Sequence, residues 1–518
     1  MTETSAARVN PARRDLIPLA ALSLGVFLYH LCTALFSGYG YFIDELYYVA
    51  CAKRLAFGYI DHPPLSIILL ALNRAILGDS LPAIRFLPAL ALAGTVFTTG
   101  VITRRFGGSR SAIIIAALAV IAAPVYQVLG SFYSMNAFEI LLHTLILYAV
   151  VVMVQENRLR LWLAIGALLG LGLEMKHTML LYAVAMAGGM LSTPARRLLW
   201  NRWFLFGMLT SFLLLLPNLI WQGVHGFPSL EFYRNAMVNK NIATGPVGIL
   251  IDQMKFMNPL ALPLLLAGVG FFFFANHSRP FRFLGSTYLL LLCIMMVSQS
   301  SRPDRIGAFY PALFAGGAVA IEGIRRTPLR RLAAGGMAFL LLAGTALALP
   351  LFTPLLSPRT TAGYVAASGI SLSIEVGKTR QQLPQWLGDR LGWHELAERV
   401  GDVYHALPAE EQRNAVIIST NYAGAGACEL YGEEFGLPPV YATHNSYHQW
   451  GPPADTIQTY IGVMVNRRDL EGKFDSVTEE GVQECELCSR PQQRIPIYIA
   501  RGPRFSISKE WPGFRIYN

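Results

Sequence analysis

The side chains best suited to chemistry fall in one stretch, Tyr39 to Leu65 (YGYFIDELYYVACAKRLAFGYIDHPPL), as two pairs, Asp44 with Glu45 and Asp61 with His62. The spacing predicts a helix on which Asp44, Tyr47, Tyr48 and Cys51 share a face, while Asp61-His62 closes the segment ahead of Pro63-Pro64. Other ionisable groups stand beside apolar runs: Arg85, then Glu174, Lys176 and His177, then Lys240, then Arg302 and Arg305. A carboxylate near cations is what displacement at a phosphate-linked donor requires. The carboxylate deprotonates an acceptor hydroxyl, and Lys, Arg or a metal ion stabilises the departing phosphate. Each group also has a plainer reading: Asp44 as a helix cap, His62 as a turn residue, Lys176 snorkelling to an interface, Arg302 and Arg305 as loop charges. Clustering near the ends of apolar runs favours a shared site.

The elements that must position these groups are apolar. Of 518 residues, 53% are hydrophobic and only 14% charged, with a mean hydropathy of +0.42, a balance that excludes a water-soluble chain over most of this length. The formal charge of +10 does not point to nucleic acid, because the basic residues form short clusters between apolar runs instead of a stripe. Crossing a bilayer takes about 20 apolar residues. Runs of suitable character cover 16–36, 82–102, 111–130, 136–154, 161–174, 177–192, 203–221, 258–275, 282–299, 306–323 and 331–350. Basic clusters occupy every second connection: Arg8/Arg13/Arg14, Arg104/Arg105/Arg110, Arg158/Arg160, Arg196/Arg197/Arg202, Arg279/Arg282 and Arg325/Arg326/Arg330/Arg331. The positive-inside rule then predicts about 11 transmembrane helices, the N-terminus in the cytoplasm and the C-terminus outside. The first run, with no convincing cleavage site after it, reads as a retained helix. The run 65–78 is too short to span and reads as an interfacial or re-entrant helix.

After Pro350 the apolar runs shrink to strand length, as in AVIIS (415–419) and IPIYIA (495–500). The expected fold is therefore a mainly α polytopic membrane protein, residues 1–350 with a catalytic first outer loop at 37–80, followed by an extracytoplasmic α/β domain at 351–518. Residues 388–400 read as an amphipathic helix, and NYAGAGACELYGEEFG after AVIIS as a Gly-rich turn leading into a helix. That turn lacks a dinucleotide-binding spacing.

The first loop, DExxYxxxAxxL followed by an acidic residue and PPL and then an Arg entering a helix, resembles GT-C membrane glycosyltransferases. It is most similar to the protein O-mannosyltransferase and lipid A aminoarabinose transferase group. The matching residues are Asp44, Glu45, Tyr48, Ala52, Leu55, Asp61, Pro63, Pro64, Leu65 and Arg85. GLGLEMKHTML (170–180) and SRPDRIGAFYPAL (301–313) resemble the family's Lys-bearing turn and basic segment. The resemblance implies an inverting transferase in the inner (plasma) membrane that moves a sugar from a polyprenyl-phosphate donor to an extracytoplasmic glycan, lipid or protein acceptor. In that reading Asp44 is the general base, with Glu45 supporting it or positioning the acceptor. Asp61 binds a divalent metal or polarises the donor phosphate, with His62 where relatives often carry Lys. Lys176, Arg302 and Arg305 contact phosphate, and Tyr48, Arg85, His177 and Lys240 complete the substrate site. Where relatives have an acidic residue early in the fourth helix, this chain offers Asn136 and Glu139.

A transporter or lipid-linked-sugar flippase is the alternative, but it should show inverted repeats and ionisable groups near the bilayer centre. A non-enzymatic envelope scaffold would not need paired carboxylates and cations. In the tail, Cys485 and Cys488 (CELC) can form a very short disulfide, pair with Cys428, stay as thiols or contribute to a zinc site.

Overall fold

The structure, a computed structural model, describes residues 16–239, 242, 244–299, 304–370, 372, 375 and 381–518. Lys240, Arg302 and the basic cluster Arg8, Arg13 and Arg14 lie outside this set. Each of the eleven apolar runs is helical over most of its length. Six helices among the described residues are long and apolar enough to cross a bilayer: Leu16–Phe36, Leu81–Arg105, Met135–Glu156, Arg202–Val224, Arg279–Ser298 and Thr327–Phe352. Two bent pairs, Arg110–Ala122 with Pro124–Gly130 and Pro246–Phe256 with Pro259–Phe274, turn by 66° and 96° and raise the number to eight if each is one span. The expected count of eleven is thus not confirmed among the described residues. Hydropathy registers apolar sequence but not helix continuity. Ala123, forced out of the helical region by Pro124, has ψ 114° and breaks its run. Trp162–Met175, Met179–Leu191 and Tyr310–Glu322 have only 14, 13 and 13 residues, about 20 Å of helix against a hydrocarbon core of about 30 Å. Leu65–Leu77 is a short helix, as its sequence implies.

Small residues let these helices approach closely. A β-carbon on Gly166 would fall on the carbonyl of Gly207, so Trp162–Met175 and Arg202–Val224 pack backbone to backbone.

The first-loop helix, Ile43–Ala52, starts after an extended Phe42. Glu45, at its third position, accepts a hydrogen bond from the Phe42 N–H at 2.7 Å, which ties off an unsatisfied donor of the first turn. Asp44 therefore sits inside the helix and is not its cap.

The tail carries a five-stranded sheet of order β2-β1-β3-β5-β4, built from β1 (Ala415–Ser419), β2 (Val440–Ala442), β3 (Thr459–Val463), β4 (Phe474–Glu484) and β5 (Arg494–Pro503). β1 runs parallel to β2 and β3, while β5 is antiparallel to β3 and β4. Because side chains alternate along a strand, Ile417, Ile461 and Ile499 pack on one face with Leu46 and Val49 of the first-loop helix. Val416, Ile418 and Tyr460 pack on the other with Phe474 and Trp511. The amphipathic helix occupies Trp393–His405, a few residues later than its sequence suggests. The glycines expected in a turn after β1 instead lie within a helix, Tyr422–Leu430. There Gly426 rests against Leu46, where a β-carbon would meet the Leu46 backbone at 2.9 Å. The α/β unit is thereby seated directly on the loop that carries Asp44.

Candidate active site

A cavity of about 230 Å³ opens where the first-loop helix, the Lys176 turn, the helix Pro228–Asn239 and the α/β unit meet. It is lined by apolar Val125, Val128, Leu129, Phe132, Phe232 and Phe256 and by polar Asp44, Asp61, Asn136, Lys176, Arg305, Tyr422 and Asn445. Tyr48, Tyr233 and Glu375 also line it.

Two tyrosines hold the two carboxylates. The Tyr422 hydroxyl donates to Asp44 Oδ1 at 3.0 Å. The Tyr47 hydroxyl donates to Asp61 Oδ1 at 2.8 Å. Burial, and then the adjacent carboxylate charge, push both phenols well above their usual ionisation range, so each remains a proton donor at neutral pH. A phenol has one proton, and with that of Tyr47 committed to Asp61, Ser446 is left to donate to the phenol oxygen through Oγ (2.7 Å) and N (3.2 Å). Its Oγ also accepts from Ile60 N at 3.3 Å. The Lys176 ammonium donates to Asn136 Oδ1 at 2.6 Å and pairs with Glu139 at 3.2 Å. The two residues standing in place of an early acidic residue thus act on the cation.

Several expected site residues do not face this cavity. Glu45 is 0% and Arg85 1% exposed. Arg85 donates to Glu45 through Nε at 3.0 Å and a terminal nitrogen at 2.7 Å, and to the Gly40 carbonyl at 2.7 Å. The Tyr133 N–H donates to Glu45 Oε1 at 2.7 Å. With both oxygens engaged, Glu45 anchors the helix that presents Asp44, and Arg85 is its buried counter-ion. His62 is buried among Tyr47, Tyr48 and Tyr59, with Nδ1 on the Pro63 carbonyl at 3.1 Å and Nε2 3.9 Å from Asp61. Both ring nitrogens of His177 are engaged, with Tyr233 at 2.9 Å and Asn218 at 3.1 Å. Asp44, Tyr48, Asp61, Lys176 and Arg305 are brought together as anticipated.

Among the described residues no three His, Cys, Asp or Glu side chains gather into a metal cage. The metal role expected of Asp61 finds no closed protein ligand set among the described residues.

Sequence reasoning missed Tyr422 and Asn445. They follow the C-terminal ends of the adjacent parallel strands β1 and β2, where open α/β sheets place ligands. That position was the available signal.

Comparison with known proteins agrees with this architecture. The family described as dolichyl-phosphate-mannose-protein mannosyltransferase matches residues 61–221. ArnT from Cupriavidus metallidurans bound to undecaprenyl phosphate superposes with a TM-score of 0.60 at 14% identity, covering 94% of this chain and 98% of that one. Its apo form gives a TM-score of 0.58 at 14% identity, with the same 94% and 98% coverage. The arabinofuranosyltransferase AftD from Mycobacteria gives 0.51 at 15% identity, covering 95% of this chain and 40% of that one. No curated protein sequence matches. The chain is a multi-pass membrane protein with the fold of GT-C glycosyltransferases. Within that class it resembles the ArnT and protein mannosyltransferase group.

Proposed function

We propose that this protein is an inverting glycosyltransferase that moves a sugar from a polyprenyl phosphate to an acceptor outside the cytoplasm. The observation that carries the reading is one cavity lined by three carboxylates (Asp44, Asp61 and Glu375), two cations (Lys176 and Arg305) and a set of apolar side chains. Such a space suits a charged phosphate joined to an isoprenoid chain. Asp44 takes the proton of the acceptor hydroxyl as its oxygen attacks the anomeric carbon. The bond from that carbon to the phosphate oxygen breaks, and polyprenyl phosphate leaves with the bonding pair. A single displacement inverts the anomeric configuration. Lys176 and Arg305 offset the charge that grows on the phosphate, joined in this reading by Arg302 and Lys240. Tyr47 fixes Asp61 beside the reacting centre, and Glu45 with Arg85 fixes the helix that carries the base. The alternation of basic clusters supports a site and an α/β unit on the outer face.

The cations supply the test. Lys176→Met and Arg305→Met should each weaken apparent affinity for undecaprenyl phosphate by about tenfold or more, the scale of a lost charge-assisted hydrogen bond. Acceptor affinity should change less. Unaltered lipid-phosphate affinity in both variants would refute their assignment.

A further inference from the structure

The tripeptide His444-Asn445-Ser446 touches the catalytic end in three ways. His444 Nδ1 accepts from the backbone N–H of Tyr422 at 3.3 Å, and Tyr422 holds Asp44. Ser446 donates to the Tyr47 phenol, and Tyr47 holds Asp61. Asn445 stands between these braces with φ +45°, in the left-handed region that few side chains adopt readily. It is 1% exposed and lines the cavity. Its Oδ1 is buried without a hydrogen-bond partner. A buried carbonyl oxygen left unsatisfied beside a reaction site calls for a donor that arrives with the substrate.

Building on the proposed transferase activity, we infer that Asn445 is a specificity residue whose amide accepts a hydrogen bond from a sugar hydroxyl of the acceptor, next to the hydroxyl that Asp44 deprotonates. The acceptor, not the donor, is the group in question because one short segment fixes both carboxylates and the amide as a unit. What rests on the carboxylates also faces the amide. A glycan suits the space better than a peptide, since Tyr48, Tyr233 and Tyr422 line the cavity. Aromatic faces with carboxylates and an amide at the rim match a ring with C–H groups on its faces and O–H groups around its edge. The transferase thus borrows part of its acceptor site from the α/β unit.

The test uses the full-length protein in detergent, a radiolabelled undecaprenyl-phosphate hexose as donor, and methyl hexosides and a Ser/Thr-containing peptide as acceptor probes. Asn445→Gly removes the amide and is at ease at positive φ, so the fold should persist with an unchanged melting temperature. The apparent KM for the best methyl hexoside should rise about tenfold, with donor KM unchanged. Asn445→Asp, which retains an oxygen at the same place, should recover part of that loss. A methyl hexoside lacking the neighbouring hydroxyl should show the same penalty with the wild type and no further penalty with Asn445→Gly. Unchanged acceptor KM in Asn445→Gly, a rise in donor KM alone, or transfer to the peptide only would each overturn the inference while leaving the transferase intact. Wild-type protein that neither binds undecaprenyl phosphate nor transfers to any probe would overturn the transferase reading, and this inference with it.

Discussion

Asp44 and Glu45 are neighbours in sequence with different surroundings: Asp44 lines the cavity, and Glu45 is buried against Arg85. Successive residues on a helix point about 100° apart, so only one of the two can face the cavity while the other faces the protein. The sequence marks both as acidic and does not say which is which, because the distinction rests on Arg85 and the Tyr133 N–H, 40 and 88 residues away. The two should therefore fail differently. Glu45→Ala leaves the Arg85 guanidinium buried without its counter-ion, and should cost about 3–5 kcal/mol, the usual penalty for breaking a buried pair. Thermal unfolding of the detergent-solubilised protein should show this as a large drop in melting temperature. Asp44→Asn should leave that temperature nearly unchanged, and equal destabilisation by the two substitutions would contradict the division of roles. Tyr422 and Asn445 escaped the sequence for another reason: Tyr422 lies 378 residues from its partner Asp44, and no local pattern announces the contact.

At the scale of elements, β1 was legible because it is buried on both faces and reads as an unbroken apolar run. The helix after it was not, because Gly424 and Gly426 suggest a turn when Gly426 in fact serves close packing against the first-loop helix. The apolar runs were located correctly, but eleven spans are not confirmed among the described residues, since a proline break and short helices do not alter hydropathy. Cys485 and Cys488 are bonded to each other, closing the turn between β4 and β5, while Cys428 is buried as a free thiol. Closing so short a loop removes little unfolded-chain entropy, so replacing both with Ser should destabilise the α/β unit by only about 2 kcal/mol. Transfer chemistry should persist in the folded fraction. Alkylation without reductant followed by intact-mass measurement should leave both sulfurs unmodified, and full labelling of the pair would contradict the bond.

For the whole molecule, the α/β unit and the membrane helices share one apolar core and one cavity, so a single topology must serve both. The alternation of basic clusters along the sequence predicts that this cavity faces outward. Single cysteines introduced at exposed positions of the tail, such as Glu410 and Arg468, should react with a membrane-impermeant maleimide in intact cells. A requirement for permeabilisation would reverse the topology and the site with it. Everything proposed for this site turns on Asp44 as the base of a transfer from a lipid-linked sugar. Its most direct test compares wild type and Asp44→Asn for transfer of radiolabelled sugar from a polyprenyl phosphate in isolated membranes. The amide is nearly isosteric and cannot take up the proton, so turnover should fall by about 10²-fold or more with undecaprenyl phosphate binding retained. Near-normal turnover in Asp44→Asn, with Asp61→Asn inactive, would contradict the account.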